Sequence, residues 1–150
     1  MKLFRTIGVL ALTLASVACS PYTLKGRVIE GDTSYVSVVD ETDPRLNDRG
    51  LEGVRLHLQM DPGKLSRKSL TRQTTGIDGA FELPVSEFGA GFMEYDVGLF
   101  ARRAGYSPAD GSFRLPPKSK RILIVMNRGR DFDQGETLEG DWHQMRMYGD

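Results

Sequence analysis

One cysteine, two histidines and two clusters of carboxylates are the side chains of this 150-residue chain best suited to react or to hold a metal. Cys19 has no second cysteine to pair with, so an internal disulfide is excluded. A zinc peptidase needs a His-x-x-Glu or His-Glu-x-x-His spacing, so that two ligands from one short segment meet one ion. His57, in "VRLHLQMD", and His143, in "GDWHQM", both lack it, and both read as solvent-exposed. The acidic stretches are "DETDPRLND", with Asp40, Glu41, Asp43 and Asp48, and "DFDQGE", with Asp131, Asp133 and Glu136. Calcium takes about six to eight oxygens from a loop of fixed geometry, and the second stretch lacks the closing glutamate. Both read as solvated loops. There is no Gly-x-Ser-x-Gly elbow, and "PGKLS" lacks the glycine that opens a phosphate-binding loop. The expectation is no catalytic residue, no metal and no cofactor.

The surroundings of Cys19 point elsewhere. Residues 1–18 open with Lys2 and Arg5 and continue as "IGVLALTLASVA", an uncharged run of about a dozen residues, which is the build of a secretory signal peptide. Spanning a bilayer takes about 20 apolar residues, and Pro21 and Lys25 follow too soon. Ser16, Val17 and Ala18 are small enough for a signal-peptidase cleft, with cleavage expected after Ala18. The stretch resembles the lipobox of bacterial lipoproteins, although Ser16 stands where leucine is usual. The resemblance implies lipidation of Cys19 and a membrane anchor. Ser20 in place of aspartate implies sorting to an outer membrane, with the domain facing the periplasm. The alternative is cleavage after Ala18 and secretion with a free thiol.

Removing the leader takes away two of the 20 basic residues and none of the 20 acidic ones, so the mature chain carries a net charge of −2. That balance gives no basic bias for a phosphate backbone and argues against nucleic acid. The remaining length suits one modest core. Residues 54–61 alternate strictly, with Val54, Leu56, Leu58 and Met60 on one face and Arg55, His57, Gln59 and Asp61 on the other, as a half-buried strand requires. "FELPVS" repeats the pattern, with Pro84 assigning it to an edge or a bulge. "TLKGRVIEG", "DVGLFARR", "GSFRL" and "RILIVMNR" read as further strands, and "SYVSVVD" as a continuation of the first past a kink at Gly31. About seven strands with turns between them predict an all-β, Greek-key-type sandwich over residues 23–127, after a short tether at 19–22.

Two connections and the tail stand out. "TTGIDGAF" carries Gly76, Asp78 and Gly79 between strand-like runs, a signal for a tight hairpin turn. "ETDPRLNDRGLEG", residues 41–53, is long and polar, as functional or mobile loops are, and makes Asn47 and Arg49 candidate partner contacts. Residues 128–150 are polar and glycine-containing, which suggests disorder. Yet Leu138, Trp142 and Met145 fall on one face of a possible short helix. Because "ILIVM" is apolar at every position, Leu123 and Val125 need a cover, and the tail could supply it. Trp142, Met145 and Tyr148 are equally candidates for contacting a partner.

The order "LKGRV", "GLEGVRLHL", "TTGIDGAFEL", "ARRAGYSP", "RILIVM" resembles the carboxypeptidase regulatory-like domain, a transthyretin-like β-sandwich. Gly26 and Val28 match its first strand, and Leu51, Gly53 and Val54 its entry to the second. Thr75, Asp78, Gly79 and Phe81 match its hairpin, and Gly105 with Tyr106 its "GY" end. The chain departs from the pattern at Gly76, where aspartate is usual, and in an insertion over about residues 31–50. The resemblance implies an accessory, non-catalytic module. The expectation is therefore a lipid-anchored envelope module that contacts a protein or a cell-wall polysaccharide. A hydrolase with an unrecognised site and a purely structural lipoprotein are the alternatives.

Overall fold

The computed structural model describes residues 22–87, 89–90 and 93–129. Eight strands follow one another: β1 (Tyr22–Glu30), β2 (Tyr35–Asp40), β3 (Arg55–Met60), β4 (Lys68–Thr74), β5 (Ala80–Val85), β6 (Asp96–Arg102), β7 (Ala109–Arg114) and β8 (Lys120–Met126). A single 3₁₀ turn, Pro44–Asn47, sits between β2 and β3. The strands form two four-stranded sheets, β2-β8-β1-β5 and β4-β3-β6-β7, packed as a sandwich. Their margins lie close together, β2 beside β7 and β4 beside β5.

Period-two patterning explains why these segments are strands. On β5, Phe81, Leu83 and Val85 are buried while Ala80, Glu82 and Pro84 are exposed. On β3, Leu56 and Leu58 face inward, and on β6 Val97, Leu99 and Ala101 do the same. From the first sheet, Leu24, Val28, Ile122, Ile124 and Met126 complete the core between the layers. Pro84 lies on β5, an edge strand of its sheet, where its missing N–H costs no central ladder bond.

Three expectations from the sequence change. First, β1 and β2 are separate strands: β8 runs parallel to β1 and antiparallel to β2, and so inserts between them. The chain leaves the sheet at Gly31, whose N–H donates to Met126 O at 3.0 Å. Second, the described residues form eight strands rather than about seven. The additional one, β4, has no clean alternation because a bulge opposite Leu58 and Gln59 shifts its register. Third, the turn at residues 75–79 is no hairpin: it carries the chain from β4 in one sheet to β5 in the other.

That crossover is held from both sides. Thr75, buried among apolar neighbours, accepts from Val54 N at 2.9 Å and donates to Leu51 O at 2.8 Å through its hydroxyl. Gly79 has φ +70° and accepts from Val28 N through its carbonyl. A β-carbon there would stand 2.4 Å from Val28 O and 2.5 Å from Leu51 N, so both conformation and space require glycine.

Leu123 and Val125, the outward residues of β8, are buried with Ile29 and Val39 in a second cluster, against which Tyr35 and Leu46 pack. Leu46 belongs to the long polar loop. Arg27 fixes that loop by donating to Leu46 O at 2.6 Å and to Asp78 O at 2.8 Å. The 41–53 segment is thus part of the cover over the first sheet; the tail, which the sequence offered either as that cover or as a loose segment, lies outside the described residues beyond residue 129.

Candidate functional site

The outer face of the second sheet has a different character. Its side chains follow from register: Arg72 of β4 stands opposite His57 of β3, which stands opposite Phe100 of β6. In the next row, Thr74 faces Arg55, and Arg55 faces Arg102. These residues line an open trough of about 910 Å³, together with Gln59, Pro62 and Arg67. Four arginines contribute to its walls, and among the described residues no carboxylate lines it. Two arginines directly opposite one another on neighbouring strands repel, by up to about 1 kcal/mol. At the rim, Asp110 of β7 holds the Arg102 guanidinium in a two-pronged ion pair, with Nη2 2.9 Å from Oδ2.

Rings form the middle of the trough. The His57 and Phe100 centroids are 6.2 Å apart and tilted by 44°. Pro62 lies over Gly98, where a β-carbon would come within 2.9 Å of the proline ring. His57 is half-buried rather than solvent-exposed, which corrects the expectation from sequence. Burial first, and the neighbouring Arg72 charge second, hold its pKa below the usual histidine value. Gln59 Nε2 lies 3.3 Å from His57 Nδ1 and, as an amide nitrogen, can only donate to it. His57 Nε2–H then donates to Ser69 Oγ at 2.8 Å. In this orientation of the Gln59 amide, the two contacts and the lowered pKa favour the neutral imidazole.

A second cleft, of about 770 Å³, lies at the end of the sandwich where β1 finishes. Tyr106 donates to Glu30 Oε2 at 2.7 Å, Arg128 Nε lies 3.1 Å from Glu30 Oε1, and Arg103 stands 4.9 Å over the Tyr106 ring. The Tyr106 hydrogen bond, then Arg128, draw the Glu30 carboxyl below the ordinary range. Arg49 lines this cleft beside Asp48 and Glu52, so positive and negative charge are interleaved there. It resembles a structural latch more than an anion site.

Of the sequence candidates, Arg49 is exposed in the second cleft, and Asn47 is exposed at the end of the 3₁₀ turn and lines neither cavity. Gly76 O accepts from Gly79 N at 2.9 Å and Asp78 Oδ1 accepts from Ala80 N at 3.1 Å in the β4–β5 crossover. Ala18, Cys19, Trp142, His143, Met145, Tyr148 and the Asp131–Glu136 stretch lie outside the described residues. The first acidic stretch is largely neutralised: Asp40 pairs with Lys120, Glu41 with Arg121 and Asp43 with Arg45. Among the described residues no group of three or more metal-ligating side chains converges.

Comparisons with known proteins leave the family open. No family model matches the chain, and no curated protein matches it. Among solved structures it is similar to a 9R-lipoxygenase from Cyanothece PCC8801, at 12% identity and a TM-score of 0.37, over 89% of this chain and 21% of that one. The chain thus spans about a fifth of that protein's length, and a likeness at this level says nothing about activity.

The signal that sequence reading missed was Phe100. With Val97, Leu99 and Ala101 facing inward, an aromatic residue falls on the outward parity of β6, where a solvated face has no use for it. Arg72 was hidden because β4 itself went unrecognised.

Proposed function

We propose that this protein is a non-catalytic, lipid-anchored binding module of the cell envelope, and that the trough on its second sheet holds an anion-bearing partner, protein or glycan. The observation that carries the reading is the trough of Arg55, Arg67, Arg72 and Arg102 around an outward-facing Phe100, lined by no carboxylate among the described residues, with Asp110 at its rim. Guanidinium forks match carboxylate, phosphate or sulfate in planar, two-pronged geometry. The leader ahead of Cys19 supports the anchor, and the resemblance to carboxypeptidase regulatory-like domains supports an accessory role.

The anchor would also set an orientation. Cys19 precedes Tyr22, the first residue of β1, by only three positions. Along β1 the chain rises about 26 Å to Glu30. The Tyr22 end would face lipid, with the Arg49 cleft pointing away and the trough running along the flank, open to a partner in the compartment.

In-cell photo-crosslinking from Thr74, in the trough, and from Asn47 and Tyr148 as comparison positions tests the reading. A discrete adduct from Thr74 alone is the expected result. Adducts from Asn47 or Tyr148 with none from Thr74 would move the working surface elsewhere.

One observation favours a second reading. His57 Nε2 is 2.8 Å from Ser69 Oγ, the spacing of a base and its nucleophile. Against it, the third group is the neutral Gln59 amide, which in this arrangement donates to His57 and leaves no lone pair facing Ser69. A fluorophosphonate probe that labels Ser69 in the wild type and not in His57→Gln would establish a hydrolase; an unlabelled Ser69 would leave the binding reading in place.

A further inference from the structure

We infer that the partner held in the trough is an acidic polysaccharide, a chain of carboxylate-bearing pyranose rings. This rests on the binding-module reading above and names its ligand class. Three features of the trough distinguish a glycan from an acidic peptide. The first is the backbone beneath it. The floor strands β3 and β6 are paired on both sides, so they offer side chains alone, and the edge strand β4, which also lines the trough, has its outer side beside β5 of the other sheet. Peptides captured by strand addition need an open edge. The second is the apolar floor. Phe100 and His57 lie side by side at a tilt of 44° and Pro62 folds over Gly98, giving a shallow apolar surface on which the C–H face of a sugar ring can lie. These rings offer an apolar contact that charge alone does not supply.

The third feature is how the polar groups are distributed around that floor. Arg72 on β4 and Phe100 on β6 are two strands apart, on the order of 10 Å in backbone position. His57 fills the strand between them, while Arg102 stands one row along β6. A glycan crossing the strands would meet the Arg72 guanidinium on one side, the ring faces next, and on the other side Arg102, whose guanidinium it would share with Asp110. The neutral groups, Gln59 and Thr74, stand among the arginines and suit sugar hydroxyls, which both donate and accept.

The test uses the full-length protein and three probes: polygalacturonate, its methyl-esterified form, which keeps the rings and loses the charge, and polyglutamate, which keeps the charge and has no rings. Titration calorimetry should show binding to polygalacturonate, a drop of at least tenfold on esterification, and polyglutamate weaker by at least fivefold. Arg72→Gln should weaken polygalacturonate by three- to tenfold, with the fold checked by circular dichroism. Phe100→Leu should weaken polygalacturonate by about fivefold and leave polyglutamate unchanged. Equal binding of polyglutamate and polygalacturonate, with Phe100→Leu neutral for both, would overturn the inference in favour of an acidic protein. Binding of the esterified polymer as tightly as the free acid would overturn the role of charge. No binding to polygalacturonate overturns the glycan assignment, whereas the Thr74 crosslinking experiment separately decides whether the trough is a binding surface at all.

Discussion

The two sheets of this sandwich have outer faces built from opposite chemistry. On the first, Leu123 and Val125 join Ile29 and Val39 in an apolar cluster, with Leu46 from the 41–53 loop and Tyr35 packed against it. On the second, Arg55, Arg72, His57 and Phe100 line an open trough. Removing apolar area from water contributes roughly 25 cal/mol per Å², so the covered face adds to stability in a way the open one does not. The open face instead keeps groups that repel one another and rings that remain wet. The difference teaches that one outer face is closed by packing and serves the fold, while the other is left open to solvent.

Changes at the covered face should therefore cost stability, and changes at the open face should not. The largest loss is expected for Gly79→Val. The turn that Gly79 forms anchors the loop through Arg27 and Val28, φ is +70°, and a β-carbon would collide with backbone atoms. A loss of about 3 kcal/mol or more is expected in a denaturant melt. A melt matching wild type would show that the crossover can be rebuilt without glycine. Leu123→Ala comes next. Its side chain is fully buried in the second cluster, and truncation should cost about 2–4 kcal/mol. Leu46→Ala, half-buried at the margin of that cluster, should cost about 1 kcal/mol and speed amide exchange over residues 44–49. If Leu46→Ala changed neither, the loop would not be the cover. At the open face, Arg72→Gln should stay within about 0.5 kcal/mol of wild type.

The covered face was half legible in the sequence. "ILIVM" is apolar at every position, and that pattern requires two buried faces on one strand. What covers it was not legible, because the loop earns its place through one apolar residue, Leu46, and through Arg27, which reaches its backbone from β1. Neither contact leaves a periodic trace. The open face was legible only as parity. Arg55, His57 and Gln59 read as the polar side of β3, but their meaning depends on which residues stand beside them, and cross-strand register is not written in any one strand. The balance of 20 basic and 20 acidic residues concealed the trough, since carboxylates elsewhere are paired with lysines and arginines while none among the described residues lines this surface.

The smallest predicted effect is the one that most sharpens the contrast between the faces. His57 is the titratable group at the centre of the trough, with Arg72 and Arg55 beside it and Arg102 one strand and one row away, while the nearest acid in its row, Asp110, stands beyond Phe100 on β7. Its folded pKa lies below the unfolded value of about 6.5. The unfolded chain therefore binds more protons in the interval between the two. The stability contribution is fully present above about pH 6.5 and is lost as pH falls through the folded pKa. His57→Gln should remove this slope, seen as a flatter profile of melting temperature against pH on the acid side. An anion bound among the arginines favours the imidazolium and raises the His57 pKa, so ligand affinity should increase as pH falls through the same interval. Affinity that is flat with pH in wild type, or equally steep in His57→Gln, would place the anion away from the imidazole and confine binding to the rim arginines.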